Sequence, residues 1–192
     1  TTGLNSLQAK VVGIAFSWEN HKGYYLYIPE DEHKSKTIIQ EFKPFFENQQ
    51  IEKIGHNLKY DLKVLLKYEI KVFGPLYDTM IAHYLINPDM RHNMDVLAET
   101  YLNYSPQSII ELIGKKGKNQ GNMREVDLTK QTEYAVEDAD ITFQLKQHFQ
   151  KELKDANATK LFQEVELPLV DVLTSMEAEG INLNVSFLNE LS

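Results

Sequence analysis

The feature that most constrains the fold is a change of apolar period along the chain. Lys10 to Trp18 is rich in β-branched and aromatic residues, Glu19 to Gly23 reads as a turn, and Tyr24 to Ile28 resumes the strand pattern until Pro29 stops it. From Ser35 the spacing becomes helical, with Ile38, Ile39, Phe42, Phe45 and Phe46 on one stripe and Pro44 ending or bending the helix. A short strand is predicted over Ile51 to Ile54, a helix from about Asn57 to Tyr68, and another short strand over Ile70 to Phe73, closed by Gly74 and Pro75. Asp78 can cap a helix that stops at Asn87 and Pro88. Further helices are predicted over Asn93 to Leu102, from Ser105 and Pro106 to near Gly114, over Leu128 to about Lys154, and over Asn157 to Gly180 with a kink or break at Pro168. Ile181 to Asn184 reads as a strand, followed by the start of one more helix. Strands come first and alternate with helices, which predicts an α/β fold with a helical C-terminal half.

Composition narrows the function. With 192 residues, the chain is one large domain or a domain with a fragment of another. The 28 acidic residues outnumber the 20 basic ones, for a net charge of −8. Such a chain is a poor candidate for non-specific duplex binding, which needs many phosphates neutralised, although a footprint of a few nucleotides is still compatible. There is no cysteine, so neither a disulfide nor a thiolate zinc site can form. No apolar run approaches the roughly 20 residues of a membrane span, and no signal peptide is visible. The expectation is a cytoplasmic protein without a membrane partner. Because Thr1 is not an initiator Met, the chain is expected to be a piece of a longer protein.

Two short segments carry the chemistry. In Gly55 to Asp61, Asn57 stands four residues before Asp61; in Tyr134 to Asp140, Tyr134 stands four before Asp138. Residues four apart share a helix face, so each segment is expected to present a carboxylate beside a hydrogen-bonding partner. Two such pairs can converge on hard metal ions, although a site of that kind usually uses more oxygen ligands than two aspartates provide. The bland alternatives are a solvated surface aspartate and a half-buried packing tyrosine. Asp78 reads as a helix cap, Glu137 and Asp140 point to other helix faces and receive no catalytic role, and His83 and His92 have no metal-like spacing to other ligands. The basic loop Lys115 to Lys118, with Arg124, either tracks a phosphate backbone or is simply a solvated loop.

These two segments resemble the second and third exonuclease motifs of the 3′→5′ proofreading domain of bacterial DNA polymerase I (family A). The connecting segments Tyr77 to Met80, Arg91 to Asp95, Leu97 to Glu99 and Gly117 to Gln120 are similar to that family's, and Glu166 to Val170 with Met176 to Ile181 resembles the entry into the polymerase domain. The family's first motif, Asp-x-Glu, is usually followed by a turn like Thr1-Thr2-Gly3-Leu4. The chain is therefore expected to begin just after that motif.

The resemblance implies a ribonuclease-H-like (DnaQ-like) α/β fold with a mixed central sheet flanked by helices and its first strand missing. It implies an exonuclease domain over 1–156 and the first, helical elements of the polymerase domain over 157–192. It also implies hydrolysis of phosphodiesters at single-stranded or frayed DNA 3′ ends with two Mg²⁺ or Mn²⁺ ions, about 3.5–4 Å apart. By the same resemblance Asp138 and Asp61 are metal ligands, Tyr134 orients the attacking water, and Asn57, Tyr60, His56 and Leu4 contact the terminal nucleotides. The partners are a single-stranded DNA 3′ end and the polymerase domain of the same parent chain. Without the Asp-x-Glu carboxylates, the piece itself is expected to be catalytically crippled. One departure is the aliphatic Ser108 to Leu112, where the family often has an aromatic residue that stacks on substrate. Two other readings stand beside this one: a non-catalytic scaffold of the polymerase, and an RNA exonuclease resembling ribonuclease D, against which Glu166 to Ile181 argues.

Overall fold

The computed structural model describes residues 1–115, 117 and 120–191. Lys116 and Lys118 of the expected basic loop lie outside the described residues. Strand β1 (Gly13–Glu19) pairs antiparallel with β2 (Lys22–Tyr27), in a register that sets Gly13 against Tyr27 and Phe16 against Tyr24. Side chains alternate across this ribbon. Phe16 faces Phe42 and Phe45, while Gly23 lies against Val136 of the long helix α7 (Leu128–Asp155), where a β-carbon would come within 2.7 Å of the valine. Helices α1 (Glu32–Glu41) and α2 (Lys43–Phe46) follow, broken at Phe42 with Pro44 in the first turn of α2, as the sequence predicts.

Strand β3 (Lys53–Gly55) pairs in parallel with β4 (Leu76–Asp78), aligning Gly55 with Asp78. The parallel pair needs a crossover, and helix α3 (Leu58–Leu66) supplies it. Ile70 to Phe73, read from sequence as a strand, is instead an extended connector. Ile70 is fully buried, and the Phe73 amide is taken by the Phe46 carbonyl rather than by a strand. The sheet also departs from the expected continuous one. β1–β2 and β3–β4 form separate two-stranded sheets, and among the described residues no strand joins them. What unites them is α7, which packs on β1, β2 and β3.

Helices α4 (Thr79–Ile86), α5 (Met94–Leu102) and α6 (Ile109–Ile113) then lead to α7. Along α7, Ile141, Leu145, Phe149 and Leu153 recur every four residues on one face, and all are buried with Ala82, Leu97 and Ala98 of α4 and α5. Val11, Ile28, Ile39, Val64, Leu65 and Ile70 form a second cluster under α1 and α3. After α7 come a short helix α8 (Thr159–Leu161), a π-turn over Phe162–Glu166 and helix α9 (Leu167–Glu179). Pro168 has no N–H for the Glu164 carbonyl one turn back, which accounts for the break expected there appearing as a widened turn. Phe162 is buried edge-on against Tyr77, 4.9 Å between ring centroids, so this segment joins the main core. Ile181 to Asn184 is not a strand; it is an exposed link to α10 (Val185–Leu191).

Arg124 has a structural role in place of the phosphate contact considered from sequence. Its guanidinium donates to the carbonyls of Ile28 (3.0 Å) and Val11 (2.8 Å), tying the turn before α7 to the ends of the β1–β2 ribbon. Charge-assisted hydrogen bonds of this kind are worth about 1.5–3 kcal/mol. Arg124→Ala is therefore expected to lower unfolding stability by about 2 kcal/mol in urea titrations while leaving affinity for a short single-stranded oligonucleotide unchanged. A selective loss of oligonucleotide binding with no loss of stability would restore the phosphate contact.

Candidate active site

The site is built where β3 and β4 end. Gly55 closes β3, and Asn57 follows in the left-handed region at φ 67°. Asn57 is the N-terminal flanking residue of α3 but makes no side-chain cap. Helix α3 is capped from outside: Asp78, at the end of the neighbouring strand, accepts from the amides of Leu58 (2.7 Å) and Asn57 (3.2 Å). The same carboxylate caps its own helix through the amides of Met80 (2.9 Å) and Ile81 (3.2 Å). The parallel register makes this possible by setting Asp78 beside Gly55. The cap read from sequence is thus present, but it serves two helices. Because Asn57 lies before the helix in a left-handed turn, it does not share a helix face with Asp61, as its spacing had predicted.

Asp61 stands in the first turn of α3. Its side chain is exposed at the surface, with protein packed around its base displacing part of the surrounding water. That desolvation pushes its carboxyl up to about 7; the Thr1 ammonium opposes the shift and Asp78 adds to it. The Tyr60 hydroxyl bonds the Gly3 carbonyl and lies 2.6 Å from the Thr1 hydroxyl, so residues 1–3 lie against α3. Leu4 follows directly, with its side chain 85% exposed. His56, expected to contact nucleotides, is half-buried. Its ring turns inward, Nδ1 lying 2.9 Å from the Thr79 hydroxyl, and burial lowers its pKa.

The second half of the site lies on α7. There Tyr134 and Asp138 do share a face, as predicted. Burial pushes the Asp138 carboxyl up to about 7; its interaction with the Tyr134 phenol pulls it down, and the negative charges of Glu137 and Asp95 raise it further. The Tyr134 phenol is itself raised, first by burial and then by Asp138. Asp95, in the first turn of α5, was not identified from sequence; only its charge, set beside Asp138, marks it. The flanking acids are engaged elsewhere. Glu137 accepts from the Tyr104 hydroxyl and the Gln107 amide, and Asp140 accepts from the His21 amide at 2.7 Å.

Asp61 and Asp138 therefore stand apart from the other acids nearby. Among the described residues, no Lys, Arg or His side chain pairs with either. Neither is among the charges that shift the other, and among the described residues no three His, Asp or Glu side chains converge on one point. A pair of partly desolvated carboxylates with no cationic side chain beside them suits hard divalent cations, which take oxygen ligands and keep several waters. The residues present fit such ions, with each half of the site supplying one protein carboxylate.

An α/β body with carboxylates on two motif helices, one in the first turn of α3 and one inside α7, defines a nuclease-like class. Within it, residues 1–154 match the family described as 3′-5′ exonuclease, and the chain belongs to that family. It is 38% identical over 195 residues to DNA polymerase I of Borreliella burgdorferi, an alignment that covers 98% of this chain and 20% of that one. The chain thus spans about a fifth of the length of such relatives. Among solved structures it is similar to Brucella melitensis NrnC, with a TM-score of 0.74 at 19% identity, covering 93% of this chain and 82% of that one. The structure of NrnC with bound Mg²⁺ gives a TM-score of 0.69 at 20% identity, covering 96% and 86% respectively. These likenesses establish the ribonuclease-H-like exonuclease fold.

The raised Asp138 has a testable sign. Its folded pKa lies above the unfolded carboxylate value near 4, so the folded state holds the proton more tightly between about pH 4 and pH 7. Its contribution to stability is most favourable below that window and declines as pH rises through it. Asp138→Asn removes the desolvated charge. The variant is expected to be more stable than the wild type at pH 8 in urea titrations, with the gap closing by about pH 4. A gap that does not vary with pH would contradict the assignment.

Proposed function

We propose that this chain is the 3′→5′ exonuclease domain of a DNA polymerase I, removing 3′-terminal nucleotides from single-stranded or frayed DNA in a cytoplasmic setting. The observation that carries this reading is the pair Asp61 and Asp138, partly desolvated and without a cationic side-chain partner among the described residues, within a chain of the exonuclease family. On this reading residues 1–156 are the exonuclease domain and 157–192 the first elements of the polymerase domain.

Two Mg²⁺ or Mn²⁺ ions would supply a nucleophile at neutral pH and stabilise the leaving 3′-oxygen, with Asp61 holding one and Asp138 the other. Desolvation serves this role, since a carboxylate that ionises reluctantly in a dry site gains more from a nearby cation. Tyr134, one helical turn from Asp138, orients the attacking water through its hydroxyl. Asn57 and Tyr60, on the edge of the Asp61 half, contact the terminal nucleotides. Leu4, exposed beside Tyr60, packs against the terminal base and helps to splay the strand. A footprint of this size explains how an acidic protein works on DNA: base stacking and metal–phosphate contacts take the place of broad basic charge.

The test is release of nucleotides from the 3′ end of single-stranded DNA labelled at the 5′ end, with Mg²⁺ or Mn²⁺, in the polymerase that contains this domain. Asp138→Ala is expected to reduce cleavage by at least about a hundredfold, the scale of losing a main electrostatic stabiliser, with little change in circular dichroism. Cleavage at the wild-type rate would remove Asp138 from the mechanism. A preference for RNA over DNA would favour the ribonuclease-D-like reading instead.

A further inference from the structure

We infer that Glu177 of α9 is a positioning residue for the Asp61 half of the site, holding the back of α3 through two lysines that flank Asp61 in sequence. The inference rests on the metal-dependent reading of Asp61 and deepens it.

Lys59, Asp61 and Lys63 all lie on α3. Residues four apart share a helix face, so Lys59 and Lys63 stand one above the other. Asp61, two residues from each, leaves the helix roughly 200° around from either, on the opposite side. Both lysines end on one carboxylate. The Lys59 ammonium donates to one oxygen of Glu177 at 2.6 Å, and the Lys63 ammonium donates to the other. Among the described residues neither lysine pairs with another acid.

Helix α9 is arranged to deliver that carboxylate. Its buried residues are Val170 and Thr174, and Glu177 continues the same stripe three residues further on. Leu169, Val172 and Met176 lie on the exposed remainder of the helix. Leu62 and Leu66 of α3 border the same shallow cleft as Thr174 and Ser175 of α9. Glu177 is thus an acid on the face that α9 turns toward α3, and the two lysines meet it there.

This cluster differs from an ordinary surface ion pair in what its loss leaves behind. The Lys63 side chain is 13% exposed and that of Lys59 33%. Without Glu177, two like charges remain four apart on one helix face. The less exposed of them then has no counter-charge, which a fold tolerates poorly. Helix α3 shifts to hydrate Lys63, and Asp61 moves with it. The Asp78 cap holds the first amide of α3, and Glu177 supplies a second hold on the side away from Asp61. Helix α9 lies beyond residues 1–154, the part matched to the exonuclease family. On the proposed division of the chain it belongs to the polymerase side, so the clamp links that side to the metal site.

The test is cleavage of 5′-labelled single-stranded DNA by the polymerase that contains this domain, followed against Mn²⁺ concentration. Glu177→Ala is expected to raise the Mn²⁺ concentration for half-maximal rate about fivefold, the scale of one partly exposed ion pair. Saturating Mn²⁺ is expected to recover most of the rate. Glu177→Lys, which repels both lysines, is expected to raise that concentration at least as far. Adding Lys63→Glu to Glu177→Lys remakes a pair with its signs exchanged, and is expected to bring the concentration back to within about twofold of the wild type. A merely stabilising role would reduce the amount of active enzyme without moving the half-activating concentration. Should Glu177→Ala fail to fold, Glu177→Gln keeps one acceptor, loses the charge, and is expected to shift in the same direction. A wild-type half-activating concentration in Glu177→Ala or Glu177→Gln would overturn the inference alone. So would a loss of rate that no Mn²⁺ concentration recovers, or a double variant no better than Glu177→Lys. A wild-type polymerase that releases no 3′ nucleotides with Mn²⁺ would overturn both this inference and the reading beneath it.

Discussion

The Asp78 carboxylate accepts from the amides of Asn57, Leu58, Met80 and Ile81, and the rest of the site depends on it. Helix N-termini leave their first amides without intrahelical partners. A cap is worth about 1 kcal/mol, and here one side chain caps two helices while 1% exposed. It also fixes a relationship. Helix α3, which carries Asp61, and helix α4, which carries His83, start from one point in space. The left-handed turn at Asn57 is tolerated because its amide and the next are held by this carboxylate.

Helix α7 performs the complementary task. Its C-terminal half is a core element, with Ile141, Leu145, Phe149 and Leu153 facing α4 and α5. Its N-terminal half runs under the β1–β2 ribbon and presents Tyr134 and Asp138. One rigid helix thus spans both separate sheets and carries half of the chemistry. The carboxylates that matter are those without other duties: Asp78, Glu137 and Asp140 accept hydrogen bonds on both oxygens, while Asp61 and Asp138 have raised pKa values and, among the described residues, no cationic side chain beside them. A desolvated carboxylate without a cationic partner disfavours folding at neutral pH, and acids perturbed in this way cluster at functional sites.

Much of this was legible in the sequence, for local reasons. The β1–β2 ribbon, the break at Pro44, the stop at Asn87 and Pro88, and the long α7 follow from periodicity and from proline and glycine chemistry that act within a few residues. Tyr134 and Asp138 were readable because both lie inside one uninterrupted helix. Asn57 and Asp61 were read by the same rule and misplaced, because the helix starts one residue later than the rule assumed. What was hidden depends on contacts distant in sequence. The double cap at Asp78 needs the parallel register of β3 and β4, the inward turn of His56 needs Thr79, and the structural use of Arg124 needs the carbonyls of Val11 and Ile28. The strand predicted over Ile181 to Asn184 failed for the same reason, since apolar alternation alone does not provide a pairing partner.

The central claim, that one carboxylate organises both helices behind the site, is tested most directly by amide hydrogen exchange in Asp78→Asn. The substitution keeps one oxygen acceptor and turns the other into a donor that faces an amide. The account predicts faster exchange at Leu58, at the start of α3, together with altered protection at Met80 and Ile81, some twenty residues further along the chain. Changes confined to Met80 and Ile81, with Leu58 protected as in the wild type, would show that α3 holds its own N-terminus and would contradict the account.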